Sequence, residues 1–178
     1  LLDIAEAFVG PNIALFASHY IAKQPFDGQP VLWHQDGSYW PLEPMEVVTL
    51  WVSFDDSMRD NGCLRVLPGT QHTALQKMHR RTDVVNVLSS AIDDDFVDES
   101  KAVDVILAPG DVSIHHPNVI HGSDANTSPR WRRGLTIRYI PASTEILHDG
   151  PDPWPSAFLL RGNAVPGINV YRPWPKYS

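Results

Sequence analysis

Glu46-Val47-Val48-Thr49-Leu50-Trp51-Val52-Ser53-Phe54 is the clearest strand in this chain. β-Branched and aromatic residues run through it, and such side chains fit a pleated surface better than a helix. Shorter strands recur on either side. Upstream, residues 1–10 read as the end of a helix closed by Gly10-Pro11, and residues 13–22 as a strand. Residues 23–30 are a turn region, and residues 31–36 a short strand running into Gly37. Downstream, Asp60-Asn61-Gly62 is a hairpin signal, with residues 63–67 as the returning strand ended by Pro68-Gly69. Residues 102–107, 112–115 and 119–121 read as strands broken by Pro109-Gly110-Asp111 and Pro117-Asn118. Residues 132–140 form the last long strand, ended by Pro141. Many short strands with frequent turn signals, and no internal repeat or linker, predict a single β-sandwich or barrel of jelly-roll type. The polar stretch 75–100, with Asp93-Asp94-Asp95 and Asp98-Glu99, reads as a solvated surface excursion. The proline-rich tail 149–178 reads as ordered loop on the surface.

Composition sets the bounds. A chain of 178 residues, 43% hydrophobic, supports one domain with a real core. A formal net charge of −7 repels phosphate backbones, so nucleic acid is not an expected partner. No stretch approaches the ~20 apolar residues of a membrane span, and no signal peptide is expected. Cys63 is the only cysteine, so no intrachain disulfide forms. A reducing, cytoplasmic location is the expectation. The chain opens Leu1-Leu2-Asp3 without a methionine, which reads as a piece of a longer protein.

The chemistry is carried by His34-Gln35-Asp36 and His121-Gly122-Ser123. In a strand, residues i and i+2 share a face about 6–7 Å apart, so His34 and Asp36 can converge on one ion. His121, on another strand, completes two imidazoles and a carboxylate. That set holds one face of an octahedral ion and leaves the other open, as in non-haem Fe(II) oxygenases. A lone His-x-Asp is common among rim residues that bond the backbone; the second motif shifts the balance. Arg132, Gly134, Thr136 and Arg138 share one face of the last strand, and Leu135, Ile137 and Tyr139 the other. Two arginines, a glycine and a threonine make a poor core but a good polar pocket lining. Arg132 offers a planar fork for a carboxylate. Arg130 and Arg133 read as surface charges. His115 and His116 read as one buried, hydrogen-bonded imidazole and one exposed. Cys63 reads as a small buried residue.

Trp33-His34-Gln35-Asp36-Gly37-Ser38-Tyr39-Trp40, the run Asp60-Asn61-Gly62-Cys63-Leu64-Arg65-Val66-Leu67-Pro68-Gly69-Thr70-Gln71-His72, Pro109-Gly110-Asp111, and His121-Gly122-Ser123 through Asn126 to Arg132 together resemble the phytanoyl-CoA dioxygenase family. Their order and spacing cover most of the chain. The resemblance implies a mainly β double-stranded β-helix, a cupin-like jelly roll with a few flanking helices. It implies Fe(II), 2-oxoglutarate and O2, with hydroxylation of a small molecule and release of succinate and CO2. By position, His34, Asp36 and His121 are the implied iron ligands. Arg132 is implied to hold the distal carboxylate of 2-oxoglutarate, helped by Ser123. Gln35 and Trp51 match positions that approach the co-substrate, and Trp40 resembles a pocket-wall aromatic of the ectoine hydroxylase branch. Related halogenases replace the carboxylate with a small residue, so Asp36 favours hydroxylation. Family members carry more chain before the position of Leu1, so residues 1–178 are expected to form a single oxygenase domain lacking part of that region. Two other readings stand beside this one: a cupin-type metal protein that does not use 2-oxoglutarate, and an inactive binding paralogue. Arg132 and Ser123 weigh against the first, and the intact triad against the second. Substrate identity and oligomeric state leave no signature in the chain.

Overall fold

The computed structural model describes residues 1–148, 154–155 and 157–174. Helix α1 (Leu2–Val9) leads into β1 (Ile13–Lys23) and β2 (Val31–His34). Then come β3 (Leu42–Glu43), β4 (Val48–Ser53), β5 (Leu64–Val66), β6 (His79–Arg80), β7 (Ser90–Ala91) and β8 (Val103–Val105). β9 (Val112–His115), β10 (His121–Ser123), β11 (Arg132–Pro141), β12 (Glu145–Ile146) and β13 (Phe158–Arg161) complete the strands. Two antiparallel sheets dominate, ordered β13-β1-β11-β4-β9 and β2-β10-β5-β8, and they make a jelly roll.

Alternation along the strands sorts the larger sheet into two faces. Val48 and Leu50 of β4 and Ile137 and Tyr139 of β11 pack with Ile13 beneath Ala5 of α1. Thr49, Trp51, Arg132, Gly134, Thr136 and Arg138 fall on the opposite face and are all buried. The arginine-bearing face therefore looks into the molecule.

β1 departs from simple alternation. Ala14 pairs with Ile140, but Ala17 pairs with Arg138, with a register shift between Leu15 and Ala17. Such a bulge exchanges the inward and outward faces of a strand. Before it, Ala14 and Phe16 pack in a core with Trp40, Leu42 and Ile140. Beyond it, the odd-numbered residues turn inward: His19 pairs with Thr136 and Lys23 with Arg132. Ser18, Tyr20 and Ala22 are exposed, and His19, though paired with the inward Thr136, is exposed too.

Three expectations are corrected. Asp60-Asn61-Gly62 is not a hairpin: Arg59–Asn61 form a 3-10 turn capped by Gly62 at φ 78, and the chain passes from the larger sheet to the smaller one. Residues 75–100 are not wholly a solvated excursion, because Ala91 and Ile92 are buried and Ile92 packs with Leu67 and Ile120. The tail, within its described residues, is not all loop: β13 adds an edge strand to β1. The rest of that expectation falls on residues 149–153, 156 and 175–178, outside the described residues.

Candidate metal centre

His34 and His121 lie opposite each other where β2 and β10 pair. Their rings are 4.1 Å apart between centroids. Asp36 is not on the strand with His34, as the sequence suggested. It opens a 3-10 turn, Asp36–Tyr39, after one extended residue. Gln35 supplies the half-turn that still brings both side chains to one side. His34, Asp36 and His121 are all buried, and one donor atom from each lies within 4.8 Å of the others. The Nε2 atoms of His34 and His121 stand 3.6 and 3.9 Å from Asp36 Oδ1.

The tautomers follow from hydrogen bonds. His34 Nδ1 lies 2.8 Å from the Leu32 carbonyl, and His121 Nδ1 2.9 Å from that of Val119. A carbonyl only accepts, so each Nδ1 carries the proton and each Nε2 offers its lone pair. Burial, then the nearby His34, holds His121 well below the usual histidine range, so it stays neutral. Burial pushes Asp36 upward, but the His115, His34 and His121 rings and the Arg138 guanidinium outweigh it. The carboxyl is held well below its usual range. Two imidazoles and one carboxylate in a buried cluster fit a divalent ion such as Fe(II).

A cavity of about 760 Å³ opens from this cluster between the sheets. Arg132 lines it, 3% exposed, with Nε donating to the Gly62 carbonyl at 3.0 Å and Nη2 to Ser123 Oγ at 3.4 Å. Its guanidinium lies over the Trp51 ring at 5.4 Å. Gly134 makes that stacking possible, since a Cβ there would sit 2.3 Å from Trp51 Cζ2. Burial pushes Arg132 down to about 10. Beside it, Lys23 is 2% exposed, and its Nζ donates to the carbonyls of Ser123 and Asp124. Burial first, then the Arg132 charge, pushes Lys23 down to about 7. Among the described residues neither cation forms an ion pair with a carboxylate. Two buried cations without an acid partner are costly unless an anion joins them. This end of the cavity fits the distal carboxylate of 2-oxoglutarate.

Trp40 and Trp51 also line the cavity, as does Ser123. Trp40 is buried, with its ring edge-on to Phe16 at 5.8 Å. Gln35 does not belong with them. It is fully buried, its Nε2 donates to the Asn118 carbonyl at 2.8 Å, and its Oε1 accepts from the Gln76 amide at 2.7 Å. Pointing away from its two neighbours, it ties loops together.

Sequence reasoning passed over Lys23, because only the bulge turns it inward. It also misread His115. That side chain is buried, 7% exposed, but neither ring nitrogen has a hydrogen-bond partner. His116 is exposed, as expected.

Residues 1–134 match the family model described as phytanoyl-CoA dioxygenase (PhyH). The chain is 34% identical to human peroxisomal phytanoyl-CoA dioxygenase over 155 residues, 83% of this chain and 45% of that protein. It is 31% identical to a probable alpha-ketoglutarate-dependent hypophosphite dioxygenase of Stutzerimonas stutzeri over 159 residues, 87% of this chain and 51% of the relative. The chain thus spans about half the length of these relatives. Among solved structures it is similar to the non-heme monooxygenase ThoJ, with TM-score 0.80 and 26% identity over 98% of this chain and 62% of that one. It is similar also to EvdO2 from Micromonospora carbonacea var. aurantiaca complexed with 2-oxoglutarate, with TM-score 0.69 and 28% identity over 85% of this chain and 62% of that one.

Proposed function

The chain belongs to the phytanoyl-CoA dioxygenase family, and on that premise we propose that it is an Fe(II)- and 2-oxoglutarate-dependent dioxygenase that hydroxylates an unactivated carbon of a small molecule. The observation that carries the reading is a buried His34–Asp36–His121 cluster sharing one cavity with the acid-free cation Arg132. Residues 1–178 act in this reading as a single oxygenase domain.

His34, Asp36 and His121 would hold the metal through two Nε2 atoms and one carboxylate oxygen, at a cluster that opens on the cavity. When bound, Fe(II) with 2-oxoglutarate and O2 supplies the oxidant for hydroxylation, and succinate and CO2 leave. The Leu32 and Val119 carbonyls fix both imidazoles in the metal-binding tautomer. Arg132 grips the distal carboxylate, with Ser123 and Trp51 fixing the arginine's direction. Lys23 adds positive charge beside it. Trp40 forms part of the wall on the substrate side. The buried setting keeps bulk water from the reacting groups. An ordinary cupin without a 2-oxo acid has no need of acid-free buried cations, which disfavours that reading.

No helix among the described residues is long and apolar enough to cross a membrane. A free, buried Cys63 and a ferrous site suit a reducing compartment such as the cytoplasm.

The test is anaerobic addition of Fe(II) and 2-oxoglutarate, followed by visible absorption. A weak charge-transfer band that disappears in Arg132→Ala, with iron still bound, is the expected result. Iron binding without a band overturns the co-substrate assignment.

A further inference from the structure

Arg138 is a second buried arginine in the same cavity, and the grip on the distal carboxylate assigned to Arg132 does not use it. It lies six residues beyond Arg132 on β11, about 20 Å along the strand at roughly 3.3 Å per residue. A five-carbon diacid gripped at Arg132 by its distal carboxylate does not reach that far with the same group. Arg138 is 8% exposed. Its Nη1 donates to Thr136 Oγ1 at 2.8 Å and meets His19 Nδ1 at 2.6 Å. Its Nη2 is 3.3 Å from Asp36 Oδ2, and its Nε is buried without a partner. The guanidinium lies over the Trp40 ring at 5.2 Å.

The charges on the cavity wall do not balance. Among the described residues its fixed cations are Lys23, Arg132 and Arg138, and its carboxylates are Asp36 and Asp27. Asp27 is exposed at the rim and hydrogen-bonded to Gln24. Among the described residues Asp36 is the only acid paired with Arg138, and a divalent ion would claim its charge. His19 does not help, because burial and Arg138 both lower its proton affinity, so it accepts from the guanidinium as a neutral ring. With a divalent ion on Asp36 and a 2-oxoglutarate dianion at Arg132, positive charge remains at the Arg138 end. Around that end the wall is aromatic: Tyr39, Trp40 and Trp154, with Trp154 stacked on Phe16 at 4.7 Å.

We propose that the substrate is an amphipathic organic anion whose carboxylate or phosphate monoester is bound by Arg138, with its apolar body against Trp40, Tyr39 and Trp154. This rests on the dioxygenase reading above. A guanidinium freed from Asp36 presents a planar fork to such a group, and its stacking on Trp40 fixes the fork's direction. Placing the anion beside Asp36 also brings the adjoining carbon chain close to the His34–Asp36–His121 cluster.

The experiment is calorimetry on Ni(II)-loaded protein, first with 2-oxoglutarate and then, on the loaded complex, with three probes. The probes are 4-phenylbutyrate, phenethyl phosphate and the neutral 4-phenylbutyramide. At least one anion is expected to bind about tenfold or more tighter than the amide. Arg138→Gln should erase that preference while 2-oxoglutarate binds within about threefold of wild type. Arg138→Lys, which keeps the charge, should retain a reduced preference and guards against a folding defect. Equal binding of anions and amide, or no binding of either anion, overturns the proposal. So does a tenfold loss of 2-oxoglutarate affinity in Arg138→Gln, which would give this arginine to the co-substrate's metal-side carboxylate. Failure of the first titration in wild type instead overturns the dioxygenase reading, so the two failures are distinct.

Discussion

His115 Nε2 stands 3.7 Å from Asp36 Oδ2, too far for a hydrogen bond, and the imidazole has no other partner. A buried polar group left unpaired costs about 1–3 kcal/mol. His115→Leu removes that cost at similar volume but also takes away a ring that favours the Asp36 carboxylate, with Arg138 left on Asp36 Oδ2. Because the two effects oppose, the expected outcome in urea unfolding of the metal-free protein is a change within about 1 kcal/mol. A larger loss would mean that the ring's support of Asp36 outweighs the cost of burying it unpaired.

Asp36→Ala removes the only carboxylate of the cluster and the acid beside Arg138. Metal affinity should fall by more than the roughly 10–100-fold typical of losing a supporting group around a metal ligand. The metal-free protein should also lose about 3–5 kcal/mol, because a buried charge is left alone. Metal titration and urea unfolding read the two effects separately. Near-normal metal affinity would remove Asp36 from the ligand set.

Gly134→Ala drives a methyl into the Trp51 ring, with Cζ2 only 2.3 Å from the new carbon. Overpacking of this kind costs about 1–3 kcal/mol. Because Arg132 rests on Trp51, 2-oxoglutarate affinity should fall while metal affinity holds. Unchanged affinity for both would show that Trp51 does not direct Arg132.

Lys23 is pushed by burial from an ordinary 10.5 to about 7. Between those values the unfolded chain holds more protons than the folded one, so this group makes stability rise with pH across that window. Below about pH 7 its penalty is fully present. Lys23→Met should therefore flatten the rise in unfolding free energy between pH 7 and 9, even though it also leaves the Ser123 and Asp124 carbonyls without their donor. Parallel slopes for the two proteins would refute the assignment. Added 2-oxoglutarate should shrink the wild-type slope, because an anion beside Lys23 favours its charged form.

The strands that carry strong local patterns were legible in the sequence. The reading of 46–54 and 132–140 lands on Val48–Ser53 and Arg132–Pro141, because β-branched alternation is a local signal. The polar face from Arg132 to Arg138 was legible for the same reason. His34 and Asp36 converge as expected but by another route, a 3-10 turn that leaves no period-two signature. The direction of Gln35 was not legible, because motif position says nothing about it, and between two inward side chains the middle one points out. Asp60-Asn61-Gly62 kept its left-handed glycine but not its hairpin, since a turn signal does not say which sheet receives the next strand. Lys23 was invisible for a tertiary reason: register against β11 decides its face, and nothing in residues 13–23 alone marks the slip.

That slip lets one strand serve two faces. Leu15 pairs with Tyr139 and Ala17 with Arg138, so β11 runs on unbroken while β1 carries one residue more, Phe16. Deleting that residue would let Ala17 follow Leu15 on the ladder and leave His19 opposite Thr136 and Lys23 opposite Arg132. Only a one-residue slip of the pairing itself would put Ser18, Tyr20 and Ala22 on the wall in their place, and the metal cluster on β2 and β10 would be untouched. The wall is thus held by its alignment with β11 and not by the length of β1.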